Sequence, residues 1–100
     1  VTIPNSVTKI GDFAFNYCSN LKSITIGSGV TSIGSFVFEL FENLSVYCKA
    51  TTPPSLGEYT FSLNYHDVTI YVPTESVNAY KSAEDWSLYA DRIVGYDFSK

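Results

Sequence analysis

Val1-Thr2-Ile3-Pro4-Asn5-Ser6-Val7-Thr8-Lys9-Ile10-Gly11-Asp12-Phe13-Ala14-Phe15 is answered 23 positions later by Ile24-Thr25-Ile26-Gly27-Ser28-Gly29-Val30-Thr31-Ser32-Ile33-Gly34-Ser35-Phe36-Val37-Phe38. Val1-Thr2-Ile3 falls on Ile24-Thr25-Ile26, Ile10-Gly11 on Ile33-Gly34, and Phe13 and Phe15 on Phe36 and Phe38. Asn20-Leu21 falls on Asn43-Leu44 at the same shift. A degenerate third copy follows, in which Gly57, Tyr59, Phe61 and Leu63 each stand 23 after Gly34, Phe36, Phe38 and Leu40. Its front end differs. Val46-Tyr47-Cys48-Lys49 replaces the Ile-Thr-Ile run, and Ala50-Thr51-Thr52-Pro53-Pro54 replaces the usual link. A fixed period of this length signals a repeat architecture.

One copy is too short to bury its own apolar side, so neighbouring copies must complete each other's interior. The alternation in Ile24-Thr25-Ile26 and in Val68 to Val72 predicts half-buried strands, with Ile24 and Ile26 inward and Thr25 outward. Stacked copies place equivalent strands in parallel, about 4.8 Å apart. Ile10-Gly11 and Ile33-Gly34 read as a second, shorter set of extended segments, with glycine where the chain must turn tightly. Phe13, Phe15, Phe36 and Phe38 are expected to fill the space between the two walls. The spacings from Phe36 to Leu44 suit a short helical turn. Pro73 ends the last strand, and the repeat is expected to stop there.

Composition narrows the function classes. The chain has 100 residues, 45% of them apolar and only 16% charged, which is too hydrophobic for a disordered tail. No apolar run approaches the ~18 residues of a membrane-spanning helix. Six basic residues against ten acidic ones give −4, all of it in residues 51–100. With no basic cluster, nucleic acid and anionic membrane are poor partners. The chain has no Met and begins inside an apolar pattern, so more repeats are expected ahead of Val1. Cys18 and Cys48 lie out of step with the repeat, which favours two buried thiols over a disulfide.

The phrases at 3–15 and 18–26 and the Ala-Thr-Thr-Pro-Pro at 50–54 resemble the BspA-like leucine-rich repeat family of bacterial surface and secreted proteins. Residues 71–81 and 86–90 are similar to the closing segment of Bacteroides-type members. The sequence departs from the family pattern at Phe41 and over 44–49, where one residue is missing. The resemblance implies a leucine-rich repeat solenoid of α/β type, with short parallel strands and helical turns, closed by a C-terminal helical cap. The expected division is repeats over 1–73 and a capping segment over 74–100. The implied location is extracellular or at the cell surface, and the implied role is adhesion or protein–protein interaction. The alternative is a purely structural cap or stalk.

In the closing segment, Thr74 is placed to cap a helix over Glu75 to Lys81, with Val77 and Tyr80 facing the repeats. Ser82 and Asp85 read as a second capping signal. Trp86, Leu88 or Tyr89, and Ile93 form an apolar stripe, and Ile93 to Tyr96 a last extended piece. Such aromatics suit a cap that covers the last strand better than a recognition helix pair.

Catalytic constellations are missing. His66-Asp67 with Ser62 lacks a nucleophile elbow and an oxyanion hole, and Gly27-Ser28-Gly29 reads as a turn. Glu39, Glu42, Glu84 and Asp85 read as solvated faces, not metal ligands. Asn43 of the sequon Asn43-Leu44-Ser45 is also a repeat position. The expectation is a non-enzyme without cofactor. The surface left is the outward strand face. Thr2, Thr25, Tyr47 and Tyr71 are expected to form a row, with Lys22, Ser23, Lys49 and Thr69 beside it. Within it, Thr25, Tyr47, Thr69 and Tyr71 are the candidate contacts for a protein or glycan on a host or bacterial surface. The N-terminal repeat, lacking a cap, is a candidate for end-to-end self-association.

Overall fold

The computed structural model describes residues 1–15, 21–38, 43–61 and 68–99. Among the described residues eight strands form two parallel sheets, alternating between them as far as β7. Strands β1 (Thr2–Ile3), β3 (Ser23–Ile26), β5 (Leu44–Cys48), β7 (Val68–Pro73) and β8 (Ile93–Tyr96) form one sheet in that order. The shorter β2 (Lys9–Ile10), β4 (Ser32–Ile33) and β6 (Ser55–Leu56) form the other. After β7 come a 3-10 turn (Thr74–Ser76), helix α1 (Val77–Ser82) and a 3-10 segment (Ser87–Arg92). This is a parallel-strand repeat fold of α/β type.

The periodicity explains the core. Ile24 pairs with Val46, Val46 with Ile70, and Ile70 with Ile93, all four buried. Ile10, Ile33 and Leu56 line up in the facing sheet. Each fully buried aliphatic side chain is worth about 1.5–3 kcal/mol. Sheet pairing does not stop at Pro73, as the sequence suggested. Ile70↔Ile93 keeps the same 23-residue offset as Thr2↔Thr25, with helical turns in the connection.

Register also relocates the missing residue. The β3–β5 pairing runs without a gap from Ser23↔Ser45 to Ile26↔Cys48, an offset of 22, so nothing is deleted inside 44–48. Phe15 and Phe38 stack at an offset of 23, so the deletion falls between Phe38 and β5. The offset returns to 23 at Ser32↔Ser55, which puts the compensating extra residue between Cys48 and Ser55, in the stretch that holds the two prolines.

The phenylalanines divide. Phe15, Phe38 and Phe61 stack inside, at 5.6 and 5.3 Å between ring centroids. Phe13, Phe36 and Tyr59 do not fill the interior. Outside, Phe13 stacks on Phe36 at 5.5 Å and Tyr59 tilts against Phe36 at 5.7 Å, and Phe13 is 54% exposed. The cause is the turn. Phe13, Phe36 and Tyr59 have φ of 61°, 53° and 50°, and this left-handed backbone aims the side chain away from the core. No described glycine has positive φ, so Gly34 and Gly57 serve a different purpose from the one expected. A Cβ on either would lie 2.6 Å from a backbone nitrogen of the preceding coil, that of Asp12 or Ser35. Glycine lets the coils approach. Stacking of the outer rings, about 0.5–1.5 kcal/mol per pair, offsets part of the left-handed strain.

Side chains of one coil satisfy the backbone of the next. Ser28 N–H donates to Asn5 Oδ1 at 2.9 Å and Ser35 N–H to Asp12 Oδ1 at 2.8 Å. Glu58 N–H donates to Ser35 Oγ at 2.9 Å. The short helical turn expected over 36–44 falls partly on 39–42, outside the described residues, and Phe36–Phe38 are not helical. Cys18 and the trio Ser62, His66 and Asp67 also lie outside them.

The segment after Pro73 reads differently in detail. Thr74 makes no side-chain cap; it lies inside the 3-10 turn that follows Pro73. Tyr80 is buried and Val77 packs against the core, as the spacing predicted. Tyr89 takes the buried position, and Leu88 is exposed. Ser82 Oγ donates back to the Asn78 carbonyl, and Asp85 Oδ2 accepts the Leu56 N–H at 3.0 Å, so the two do not form a capping box. Asp85 thereby covers a backbone donor on the free edge of β6.

Candidate functional site

The outward face of the five-stranded sheet is built by strand parity. With Leu44, Val46 and Cys48 buried, Ser45 and Tyr47 must point the other way. Register lines up Thr2, Thr25, Tyr47, Tyr71 and Val94 as one row across β1, β3, β5, β7 and β8. Thr69 sits in the adjacent row with Ser23 and Ser45. Of the candidate contacts, Thr25, Tyr47 and Tyr71 are therefore direct neighbours, and Thr69 flanks them. Lys49 continues the parity of Tyr47. Lys22 precedes β3, is exposed and stands outside the row.

Tyr47 and Tyr71 stack at 4.6 Å with planes 9° apart. Tyr96 meets both edge-on, at 5.4 and 5.7 Å, and Phe98 tilts against Tyr96 at 4.9 Å. Tyr96 and Phe98 were not among the residues the sequence singled out. The available signal was the period: Tyr96 stands 23 after Pro73 and pairs with it. Two grooves border this aromatic group. One, of about 330 Å³, is lined by Thr25, Tyr47, Lys49, Tyr96 and Phe98. The other, of about 600 Å³, has Lys49, Thr51, Glu75 and Asp97 among its lining residues. Ser99 donates from its N–H (2.9 Å) and its hydroxyl to Asp97, which holds the exposed carboxyl below its ordinary range.

A family model described as BspA type leucine rich repeat region (6 copies) matches residues 1–85. The chain belongs to the BspA-type leucine-rich repeat family. No curated protein matches it significantly. Membership of the BspA-type family makes this a protein-interaction or surface repeat module. The Ala50 to Pro54 link of the BspA-type repeat is held from the far side. Tyr80 donates to the Ala50 carbonyl at 2.6 Å, Ser76 to Thr51 at 2.9 Å, and Trp86 Nε1 to Pro54 at 2.8 Å. Since the Tyr80 proton goes to Ala50, the Cys48 thiol donates to the Tyr80 oxygen at 3.3 Å. Cys48 is a buried free thiol, and burial pushes its pKa up, as it does those of Tyr80 and Tyr89. A buried, protonated thiol in such a pocket is inert. Among the described residues no cluster of three or more His, Cys, Asp or Glu side chains lies together, and no helix is long and apolar enough to cross a membrane.

Proposed function

We propose that this chain is a non-enzymatic, adhesion-type binding module of a bacterial surface or secreted protein. In this reading the repeats over 1–73 form a solenoid that residues 74–100 close as a helical cap. The outward face bearing Thr25, Tyr47, Thr69 and Tyr71 is where the partner docks. The observation that carries the reading is the Tyr47–Tyr71 stack, a rigid aromatic pair on a face with Tyr96 and Phe98 beside it. Tyrosine supplies large amphipathic area at low entropic cost, the composition of binding patches. The test is an immobilised panel of extracellular-matrix proteins and surface glycans, probed with wild type and the Tyr47→Ala/Tyr71→Ala double variant. The double variant loses at least about tenfold in affinity for each hit. Unchanged binding with an unchanged fold rejects this face.

A second reading, a purely structural closing piece, draws support from the far end. Tyr89 meets Phe61 edge-on at 4.9 Å and Trp86 tilts against it at 5.9 Å, which completes the inner aromatic column. It predicts that the double variant changes nothing and that no member of the panel binds.

A further inference from the structure

The smaller groove has the more specific chemistry. Thr25, the neighbour of Tyr47 away from Tyr71, is too small to cover the ring, and the groove opens there. One face of Tyr47 lies on Tyr71, and Thr25 is its strand neighbour on the other side. Tyr96 and Phe98 complete the lining. Lys49 is half-buried at the rim and is the groove's one charged lining residue. Among the described residues Lys49 has no ion-pair partner. The site therefore offers an aromatic platform, a threonine hydroxyl in its lining and one cation without an ion-pair partner.

Resting on the docking face proposed above, we infer that this groove binds one carboxylate-bearing sugar unit, a uronic or sialic acid type residue at the end of a glycan. The apolar C–H face of a pyranose lies on the negative face of the Tyr47 ring. Its carboxylate pairs with Lys49, and its hydroxyls reach Thr25. The volume of about 330 Å³ stands at the small end of ligand sites, which run to roughly 1,000 Å³. It accommodates a single ring. An extended peptide is disfavoured because β5 is flanked by β3 and β7, so no free strand edge is available there for backbone pairing. A polyanion is disfavoured by Glu75 and Asp97 in the adjoining groove and by the net charge of −4.

The probes are methyl β-D-glucuronide, the neutral methyl β-D-glucoside of the same ring, and N-acetylglutamate amide as a bare peptide carboxylate. Each is titrated to tens of millimolar while NMR follows the aromatic signals of Tyr47 and Phe98. The glucuronide shifts those signals and binds about tenfold more tightly than the glucoside or the glutamate. Lys49→Gln erases the difference between the two sugars, and Tyr47→Ala abolishes both, with tryptophan fluorescence reporting an intact fold. Equal binding of the two sugars, no shift at Tyr47 or Phe98, or glutamate binding as tightly as glucuronide overturns the assignment. If that happens while Tyr47→Ala/Tyr71→Ala still loses the panel partner, the docking face stands and only the ligand class falls.

Discussion

The indole Nε1 of Trp86 donates at 2.8 Å to the carbonyl of Pro54, 32 residues earlier. The reason lies in the link. Pro53 and Pro54 bring no N–H of their own, and Ala50 and Pro54 are buried. A buried carbonyl left without a donor costs about 1–3 kcal/mol. Ser76, Tyr80 and Trp86 supply three donors from the segment that follows β7.

Trp86 therefore does two things, filling space and donating a proton. Trp86→Phe keeps most of the packing and lowers unfolding stability by about 1–3 kcal/mol. Trp86→Ala also opens a cavity against Phe61 and Tyr80 and costs about 3–5 kcal/mol. Urea denaturation followed by circular dichroism separates the two. An unchanged stability in Trp86→Phe would show that the hydrogen bond contributes nothing.

Tyr80 and Cys48 make stability fall in alkali. Burial raises both pKa values above their ordinary 10.0 and 9.0. Above about pH 9 the unfolded chain releases these protons and the folded protein retains them. Stability is therefore complete below pH 9 and declines above it, by about 1.4 kcal/mol per pH unit for each group. Tyr80→Phe removes one proton from that slope and costs about 1 kcal/mol at neutral pH through the lost Ala50 contact. Melting temperatures measured from neutrality into alkali read both effects.

The glycines that begin each turn are not equivalent. Gly34→Ala drives a methyl to 2.6 Å from the Asp12 backbone nitrogen and destabilises by several kcal/mol, on the order of other overpacked sites. Gly11→Ala meets nothing within 4 Å and is neutral, or stabilising by up to about 1 kcal/mol. Thermal melts show a loss for Gly34→Ala and none for Gly11→Ala if close approach, not turn geometry, selects glycine here.

Asp85→Ala exposes the β6 edge. The Leu56 N–H loses its acceptor, which costs about 0.5–1.5 kcal/mol, and amide exchange at Leu56 speeds up while that at Ile33 does not.

The period carried most of the fold. Apolar spacing is a direct record of which side faces inward, so the Thr2–Thr25–Tyr47–Tyr71 row was readable without coordinates. The Phe-x-Phe pair was not, because alternation treats both rings alike. Only the left-handed φ of Phe13, Phe36 and Tyr59 sends the first ring outward. Asp85 was read as a local cap because its true partner, Leu56, lies 29 residues away. The aromatic group was half legible. Tyr47 and Tyr71 follow from alternation. Tyr96 required recognising that the 23-residue phase survives a connection made of helical turns.

The cross-coil bonds from Ser35 N–H to Asp12 and from Glu58 N–H to Ser35 give each of the first two coils an acceptor for the one after it. Each of these two units thus carries half of a joint whose other half is backbone, present in any neighbour. A gene segment encoding one period can be duplicated or excised, and the new seam still closes, with Asp12 facing Glu58 in place of Ser35. Arrays of this design lengthen or shorten by recombination without inventing a new interface.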